Sequence, residues 1–396
     1  MKQRLSRMSS YPLYLDHAAT TPVDQRVLEA MWPFFREQYG NASSKLHPQG
    51  WEAAEAVSLA REQVAELIGC IPEEIIFTSG ATESLNLALR GVAAAYASKG
   101  NHIITCNTEH RAVLDTCEVL EKNGMILTQL YVDANGNIDL DQLRNAISSK
   151  TILIALMHAN NETGVIHPIN EIGKIAKEKS VLFLCDASQS AGKIPLNVLE
   201  SEIDLLAFSA HKLYGPKGVG ALYVRRKNPR VQLVSHITGG GQERGLRSGT
   251  LNVPGIIGLG KAAEIAKNEI LHDAKRLTLM REKMEKTFHQ HLKVSINGNS
   301  TNRLPHISNC CFHLENHASL IGRLAKIVAI SNGSACSSEL QTPSHVLTAM
   351  GLNDKDSRSS IRFSLGRETD ENLLTQKTEE IIFLIRELQK EENING

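Results

Sequence analysis

A chain of 396 residues exceeds the roughly 250–300 residues that one hydrophobic core usually serves, so two domains are expected on a single polypeptide. Apolar residues at 42% and charged residues at 22% exclude a disordered, collagen-like or disulfide-scaffold chain, and 43 basic against 43 acidic residues leave no net field for direct binding of nucleic acid or an anionic membrane. No apolar run approaches about 18 residues and no apolar segment follows the basic start MKQRLSRMSS, in which Met1 or Met8 can serve as initiator; neither a membrane span nor a signal peptide is expected, and the cytoplasm is the default location.

In chain order, the first strand pattern is YLDHAATTP, residues 14–22, whose pairing partner the sequence does not reveal. Between about residues 75 and 225, short β-branched runs alternate with helical patterns: EIIFTSG leads into ATESLNLALRGVAAAYASKG, HIITCN into AVLDTCEVLEKNG, and ILTQLYVD into DLDQLRNAI. TILIALMHAN precedes INEIGKIAKEKS, and VLFLCDAS, DLLAFSA and GALYVRR follow. Continuously apolar strands separated by amphipathic helices predict a mostly parallel seven-stranded sheet covered on both faces. Its functional residues should lie at the carboxyl ends of the strands. Cys106 and Cys185 end two of the apolar runs and read as buried strand residues.

After about residue 260 a long charged helical stretch precedes LPHISNCCFHL, IVAISNGSAC and SSIRFSLGR. The closing segment DENLLTQKTEEIIFLIRELQKEE carries Leu374, Ile381, Ile385 and Leu388 at spacings that fit one helix face, with Asp370 as N-cap. The expected division is a large α/β domain over residues 23–262 and a smaller α+β domain assembled from 1–22 and 263–396. Adjacent strand residues point to opposite faces, so Cys310 and Cys311 are expected to be structural rather than a metal pair or sulfur relay. The seven cysteines are odd in number and contain no CxxC pair, the pattern of reduced thiols.

Three strand ends carry chemistry. In FTSGATES a strand ends at Ser79 and Gly80 and a helix begins near Ala81; free N–H groups, the helix dipole and the hydroxyls of Ser79 and Thr82 suit a phosphate, although an ordinary capped helix has the same motif. In VLFLCDASQS, Asp186 ends a buried strand, where a carboxylate needs a partner. The protonated pyridine nitrogen of pyridoxal phosphate is such a partner, and a loop cap is the plain alternative. In DLLAFSAHKLYGPKG, Lys212 follows an apolar strand and can form an imine with an aldehyde once desolvation and nearby positive charge supply neutral amine. Ser209 and His211 are placed to reach the phosphate. His110 offers an imidazole that titrates near neutrality just past a strand end, and Arg362 a planar fork that matches a carboxylate.

With TEHRAVL, MHANNETG and GGGQERGLRSGT added, these motifs resemble fold-type I pyridoxal phosphate enzymes of the class V aminotransferase group over nearly the whole chain, and among them the NifS/IscS-like cysteine desulfurases. The resemblance implies that Lys212 binds the cofactor aldehyde, Asp186 pairs with the pyridine nitrogen, His110 stacks on the ring and moves protons, and Gln189 contacts the phenolic oxygen. Ala81, Thr82, Ser209 and His211 would hold the phosphate, joined by Thr250 of a second copy, hence a homodimer with shared sites. Asn161 would contact cofactor and substrate, and Arg362 the substrate carboxylate.

SNGSACSSEL sets Cys336 among small residues, suited to a thiol that attacks bound substrate and then carries sulfur outward. Its thiolate needs a base or positive group that the sequence does not name. The loop resembles the SSGSAC loop of desulfurases that feed iron–sulfur cluster assembly, with Ser331 as the first serine and Asn332 in place of the second. The implied reaction removes sulfur from L-cysteine, giving L-alanine and a persulfide on Cys336 for an acceptor: an iron–sulfur scaffold, a tRNA thiolation factor or a DNA sulfur-modification protein. No resident metal is implied, with Cys336 a transient ligand of an iron–sulfur cluster. Selenocysteine lyase and aminotransferase activity on the same fold are the enzymatic rivals, and a sulfur-transfer scaffold whose partner does the chemistry is the non-enzymatic one.

Overall fold

The computed structural model describes residues 12–314, 318–331 and 343–395. Seven apolar runs become β2 (Ile75–Thr78), β3 (His102–Cys106), β4 (Ile126–Leu130), β5 (Thr151–Met157), β6 (Leu182–Asp186), β7 (Leu205–Ser209) and β8 (Gly220–Val224), joined in the order β2-β8-β7-β6-β5-β3-β4. Strands β4, β3, β5, β6 and β7 are mutually parallel; β8 runs against both of its neighbours, β7 and β2. The ends of β2, β3, β5, β6 and β7 therefore open on the same edge of the sheet, together with the start of β8.

The continuous apolar character of the strands follows from burial on both faces, and the period of two still sorts their side chains. In β6, Phe183 and Cys185 face one core while Leu182 and Leu184 face the other. The first core is closed by α1 (Pro48–Ile68), α4 (Ile169–Glu178) and the first half of α5 (Val253–His291). The second is closed by α2 (Ala81–Ala95) and α3 (Arg111–Lys122). Both faces of the central strands are thus dry, whereas the edge strand β4 carries Thr128 and Gln129 within its length and is partly exposed.

Helix α5 is 39 residues long. Ile256, Leu259, Ala263 and Ala266 lie in the first core, whereas Leu277, Met280, Met284 and Phe288 lie in a separate one. That separate core contains Phe312 and Phe363, whose rings stand 5.5 Å and 5.6 Å from that of Phe288. Phe363 belongs to β12 (Ser360–Ser364), the antiparallel partner of β10 (Ile307–Cys311), which also pairs with β9 (Ser295–Ile296). Two short helices, α6 (His345–Ala349) and α7 (Asp354–Arg358), precede β12, and α8 (Glu371–Asn395) closes the chain. The apolar face expected of α8 is buried at Leu374, Ile381, Ile385 and Leu388, and Asp370 Oδ1 accepts from Leu373 N at 2.8 Å.

The N-terminal strand β1 (Leu13–Tyr14) runs parallel to β11 (Val328–Ala329). Leu15 N donates to Ala329 O at 2.8 Å and Ser364 N to Leu15 O at 2.8 Å. Residues 15–21 then cross to the sheet edge, where Thr21 N donates to His211 O at 2.9 Å.

Candidate active site

The sheet edge opens into a cavity of about 480 Å³. Its wall holds Ala81, Thr82, His110, Asn161, Asp186, Gln189, Ser209, His211, Lys212 and Arg362. Ten residues chosen from sequence, drawn from five strand ends and β12, thus share one space. Thr250 is exposed and stands apart from this wall. Cys336 lies outside the described residues.

Each position has a local cause. At the end of β2 the chain turns through Gly80, which caps α2 with no side-chain hydrogen bond, so the first N–H groups of α2 face the cavity uncapped. The cradle is tight because β8 begins at Gly220: a Cβ there would lie 2.6 Å from Gly80 Cα and 2.6 Å from Phe208 O. His110 caps α3, its Nδ1 accepting from Ala112 N at 3.1 Å. That bond places the imidazole proton on Nε2. Burial is the main cause that lowers the pKa of His110; Lys212 and His345 lower it further, and Asp186 opposes them.

Asp186, 6% exposed, receives Ser188 N at 2.9 Å and Ser188 Oγ at 2.5 Å, both on Oδ1. No described residue donates to Oδ2. Lys212 Nζ and Gln189 Nε2 both donate to Ala18 O, at 2.5 Å and 3.0 Å. His211 Nδ1 meets Thr20 Oγ1 at 3.1 Å; burial, with Lys212 and Lys217 behind it, pushes this imidazole down to about 4. Lys212 and Lys217 bring positive charge to this end of the cavity, which favours an anion there.

Arg362, 1% exposed, donates to Asp16 Oδ1 at 2.6 Å and Asn161 O at 2.8 Å. Its Nε is buried without a partner among the described residues. Glu109 is also fully buried: Oε1 accepts from Met157 N at 2.8 Å, Oε2 has no partner among the described residues, and burial raises its carboxyl well above the ordinary range, with Asp186 adding to the rise.

The donor set fits pyridoxal phosphate: an uncapped helix N-terminus with hydroxyls and cations for the phosphate, a carboxylate oxygen left over for a ring N–H, and a lysine amine for the aldehyde. The cradle that a Cβ at residue 220 would fill is the structural counterpart of that fit.

Sequence reasoning missed the N-terminal contribution to the wall. Ala18, Ala19 and Thr20 line the cavity, and a backbone carbonyl that orients two side chains leaves no mark in residue type. It also missed Glu83, which accepts from Ser79 N at 2.8 Å and from Arg247 Nε at 2.8 Å, and Glu243, which accepts from Phe77 N at 2.8 Å and from Arg61 through two bonds. These carboxylates tie the GGGQERGLRSGT loop to the phosphate cradle. Both charge pairs join residues more than 160 positions apart, beyond any local pattern.

Sheet order and strand-end site together define a fold-type I transferase architecture. The description of the Aminotransferase class-V family matches residues 13–375. The protein named cysteine desulfurase IscS of Anaeromyxobacter sp. (strain Fw109-5) is 52% identical over 381 residues, 96% of this chain and 94% of its own. A solved structure described as a NifS-like protein superposes with a TM-score of 0.88 at 38% identity, covering 95% of this chain and 99% of that one. Another, SspA in complex with cysteine, gives 0.79 at 40% identity over 89% and 98%. The chain belongs to the class-V aminotransferase family, among its NifS/IscS-like cysteine desulfurases.

Proposed function

We propose that the cavity binds pyridoxal phosphate and L-cysteine, and that sulfur leaves the substrate as a persulfide on Cys336 while the carbon skeleton leaves as L-alanine. The observation that carries this reading is the convergence of Lys212, Asp186, the α2 N-terminus and Arg362 on one cavity. The SspA structure with bound cysteine, from a relative of the same fold, supports the substrate class.

Lys212 holds the cofactor aldehyde, Asp186 Oδ2 the ring nitrogen and Gln189 Nε2 the phenolic oxygen. The backbone N–H groups of Ala81 and Thr82, the hydroxyls of Thr82 and Ser209, and His211 hold the phosphate. Thr250 adds a donor to the site of a second copy. When bound, the cofactor supplies an electron sink for the substrate carbons.

Arg362 and Asn161 orient the substrate carboxylate, with Arg362 Nε free to donate. Lys212 Nζ, released on substrate binding, takes the proton from the substrate α-carbon. His110 carries its proton on Nε2 and delivers it as general acid. Cys336 Sγ attacks the substrate sulfur: the S–S bond forms, the C–S bond breaks with its electron pair left on carbon, and that carbon takes up a proton to become the methyl group of alanine. The persulfide then passes to an acceptor protein: an iron–sulfur scaffold, a tRNA thiolation factor or a DNA sulfur-modification protein.

The test is Cys336→Ala. The purified variant is expected to remain yellow with cofactor and to form no alanine from cysteine. Undiminished alanine formation removes Cys336 from the reaction. Mass spectrometry of the native chain after cysteine treatment should find one added sulfur on Cys336. Turnover of cysteine against selenocysteine, with and without an oxo acid, separates the desulfurase from its enzymatic rivals.

A further inference from the structure

At the far end of the β10–β12 ladder, two rungs from the Asn309–Arg362 pair, Cys311 stands opposite Ser360. Strand alternation sends Cys310 into the aromatic core and turns Cys311 the other way, toward His313 and Asp356. Cys311 Sγ lies 3.6 Å from His313 Nδ1 and 3.6 Å from Asp356 Oδ1. His313 Nδ1 lies 2.8 Å from Asp356 Oδ1. The three come from two separate segments, the end of β10 and helix α7, and the reaction described above uses none of them.

We propose that Cys311, His313 and Asp356 form a binding site for a borderline-soft divalent cation of the Zn2+ class, with water in the fourth position. Bond lengths of about 2.3 Å for zinc–sulfur and about 2.0–2.1 Å for zinc–nitrogen and zinc–oxygen set tetrahedral ligand separations of roughly 3.3–3.6 Å. Both sulfur distances already match, and the nitrogen–oxygen pair needs only to open from its hydrogen-bonded spacing. A thiolate with an imidazole and one carboxylate selects zinc-like ions over magnesium or calcium.

The remaining polar atoms of the ligands are already held. His313 Nε2 contacts Ser295 Oγ at 2.7 Å, and Asp356 Oδ2 accepts from Asn353 Nδ2 at 3.0 Å. This is the outer layer that orients metal-binding imidazoles and carboxylates. Cys311 is buried while His313 and Asp356 are half-buried, so solvent reaches the open position from one side.

Binding conserves charge and protons simply. The Cys311 thiol, which donates at present to Asp356 O at 3.4 Å, gives its proton to solvent. The imidazole would present Nδ1 to the ion and carry its proton on Nε2, where Ser295 Oγ accepts it. Thiolate and carboxylate then balance the charge of the cation. The bound ion would fasten the end of β10 to α7, the helix that leads into β12 and so into Arg362.

The experiment uses cofactor-loaded Cys336→Ser protein, so that the proposed sulfur carrier is not a competing thiol, freed of metal by a chelator and titrated with Zn2+ against a chromophoric zinc indicator. One equivalent is expected to bind and to raise the unfolding temperature. Added Cys311→Ser or His313→Gln should abolish both effects, and Asn353→Ala should weaken binding about 10-fold or more. Zinc-edge X-ray absorption should show one sulfur among nitrogen and oxygen ligands. The variant His313→Gln, at a half-buried position, serves if Cys311→Ser fails to fold. Absence of a stoichiometric site, binding that survives His313→Gln, or a zinc shell without sulfur overturns the proposal.

Discussion

Glu109 and Asp186 lie close enough to affect one another, yet their hydrogen-bonded surroundings differ. Asp186 takes two hydrogen bonds on one oxygen and retains an acceptor oxygen for the cavity. Glu109 takes one, from Met157 N, and is otherwise enclosed. Burial raises the pKa of the Glu109 carboxyl well above the ordinary carboxylate range and so favours its neutral form. Glu109→Gln should therefore leave the unfolding temperature and turnover near those of the parent, because the amide oxygen still accepts from Met157 N. Glu109→Ala should lower stability by roughly 2–4 kcal/mol through a void and an unpaired N–H. Denaturant titration of both variants checks this, and equal losses would show that Glu109 carries a needed negative charge. The neighbouring Glu162 has the same character: Ser344 Oγ donates to it at 2.5 Å, and burial raises its pKa.

At the scale of elements, the meeting of β2 and β8 decides whether a phosphate can be seated. Ala at position 220 would bring its methyl against two backbones, not against side chains that could move aside. Gly220→Ala should push β8 from the β2–α2 turn, at a cost of roughly 1–3 kcal/mol in stability, and weaken cofactor retention more than substrate binding. Equilibrium dialysis of the cofactor measures the first effect. Unchanged retention would remove the close approach as the basis of the cradle. The strand ends themselves were legible because apolar runs end abruptly in polar residues: VLFLC before Asp186 and LLAF before Ser209. The wall built by Ala18, Ala19 and Thr20 was not, since its contribution is position rather than chemistry.

For the whole molecule, pH couples to folding through imidazoles buried in neutral form. Burial pushes His17 down to about 3 and His167 down to about 4; His158 is held at about 4 by burial and by His167. Their folded pKa values lie below the ordinary 6.5, so the unfolded chain binds protons first as pH falls. Stability from these groups is present above about pH 6.5 and is lost as pH falls from there toward 4. His167 is enclosed, with neither ring nitrogen bonded among the described residues. His167→Leu should remove a pH-dependent loss of roughly 3 kcal/mol between pH 6.5 and 4, read as a flatter curve of unfolding free energy against pH. An unchanged slope would mean that water reaches the ring. The buried Glu109 and Glu162 work in the opposite sense, favouring the folded state as pH falls, which is why the variant's difference from the parent is the quantity to measure.

The second prediction at this scale concerns Thr250, which is exposed in the single chain. If it serves the site of a second copy, Lys212→Ala and Thr250→Ala chains that are unfolded and refolded together should recover activity, because one site in each mixed dimer carries neither change. Failure to recover would place Thr250 outside the shared site.

Sequence alone determined the seven strands and the sheet edge on which they deliver Asp186 and Lys212, because periodicity, β-branching and chemical type are local properties; His110 and Arg362 were singled out by the family resemblance of their motifs. The apolar stripe of α8 and its Asp370 cap were readable for the same reason. Tertiary structure decided what depends on long-range contact: that residues 15–21 cross to the sheet edge and hold Lys212 and Gln189 through one carbonyl, that Glu83 and Glu243 tether the distant glycine-rich loop, and that Cys311 turns toward His313 and Asp356. Alternation along β10 predicted that Cys310 and Cys311 would part. What Cys311 would meet on its side was set only when α7 packed against the strand, since no local pattern relates two segments more than 40 residues apart.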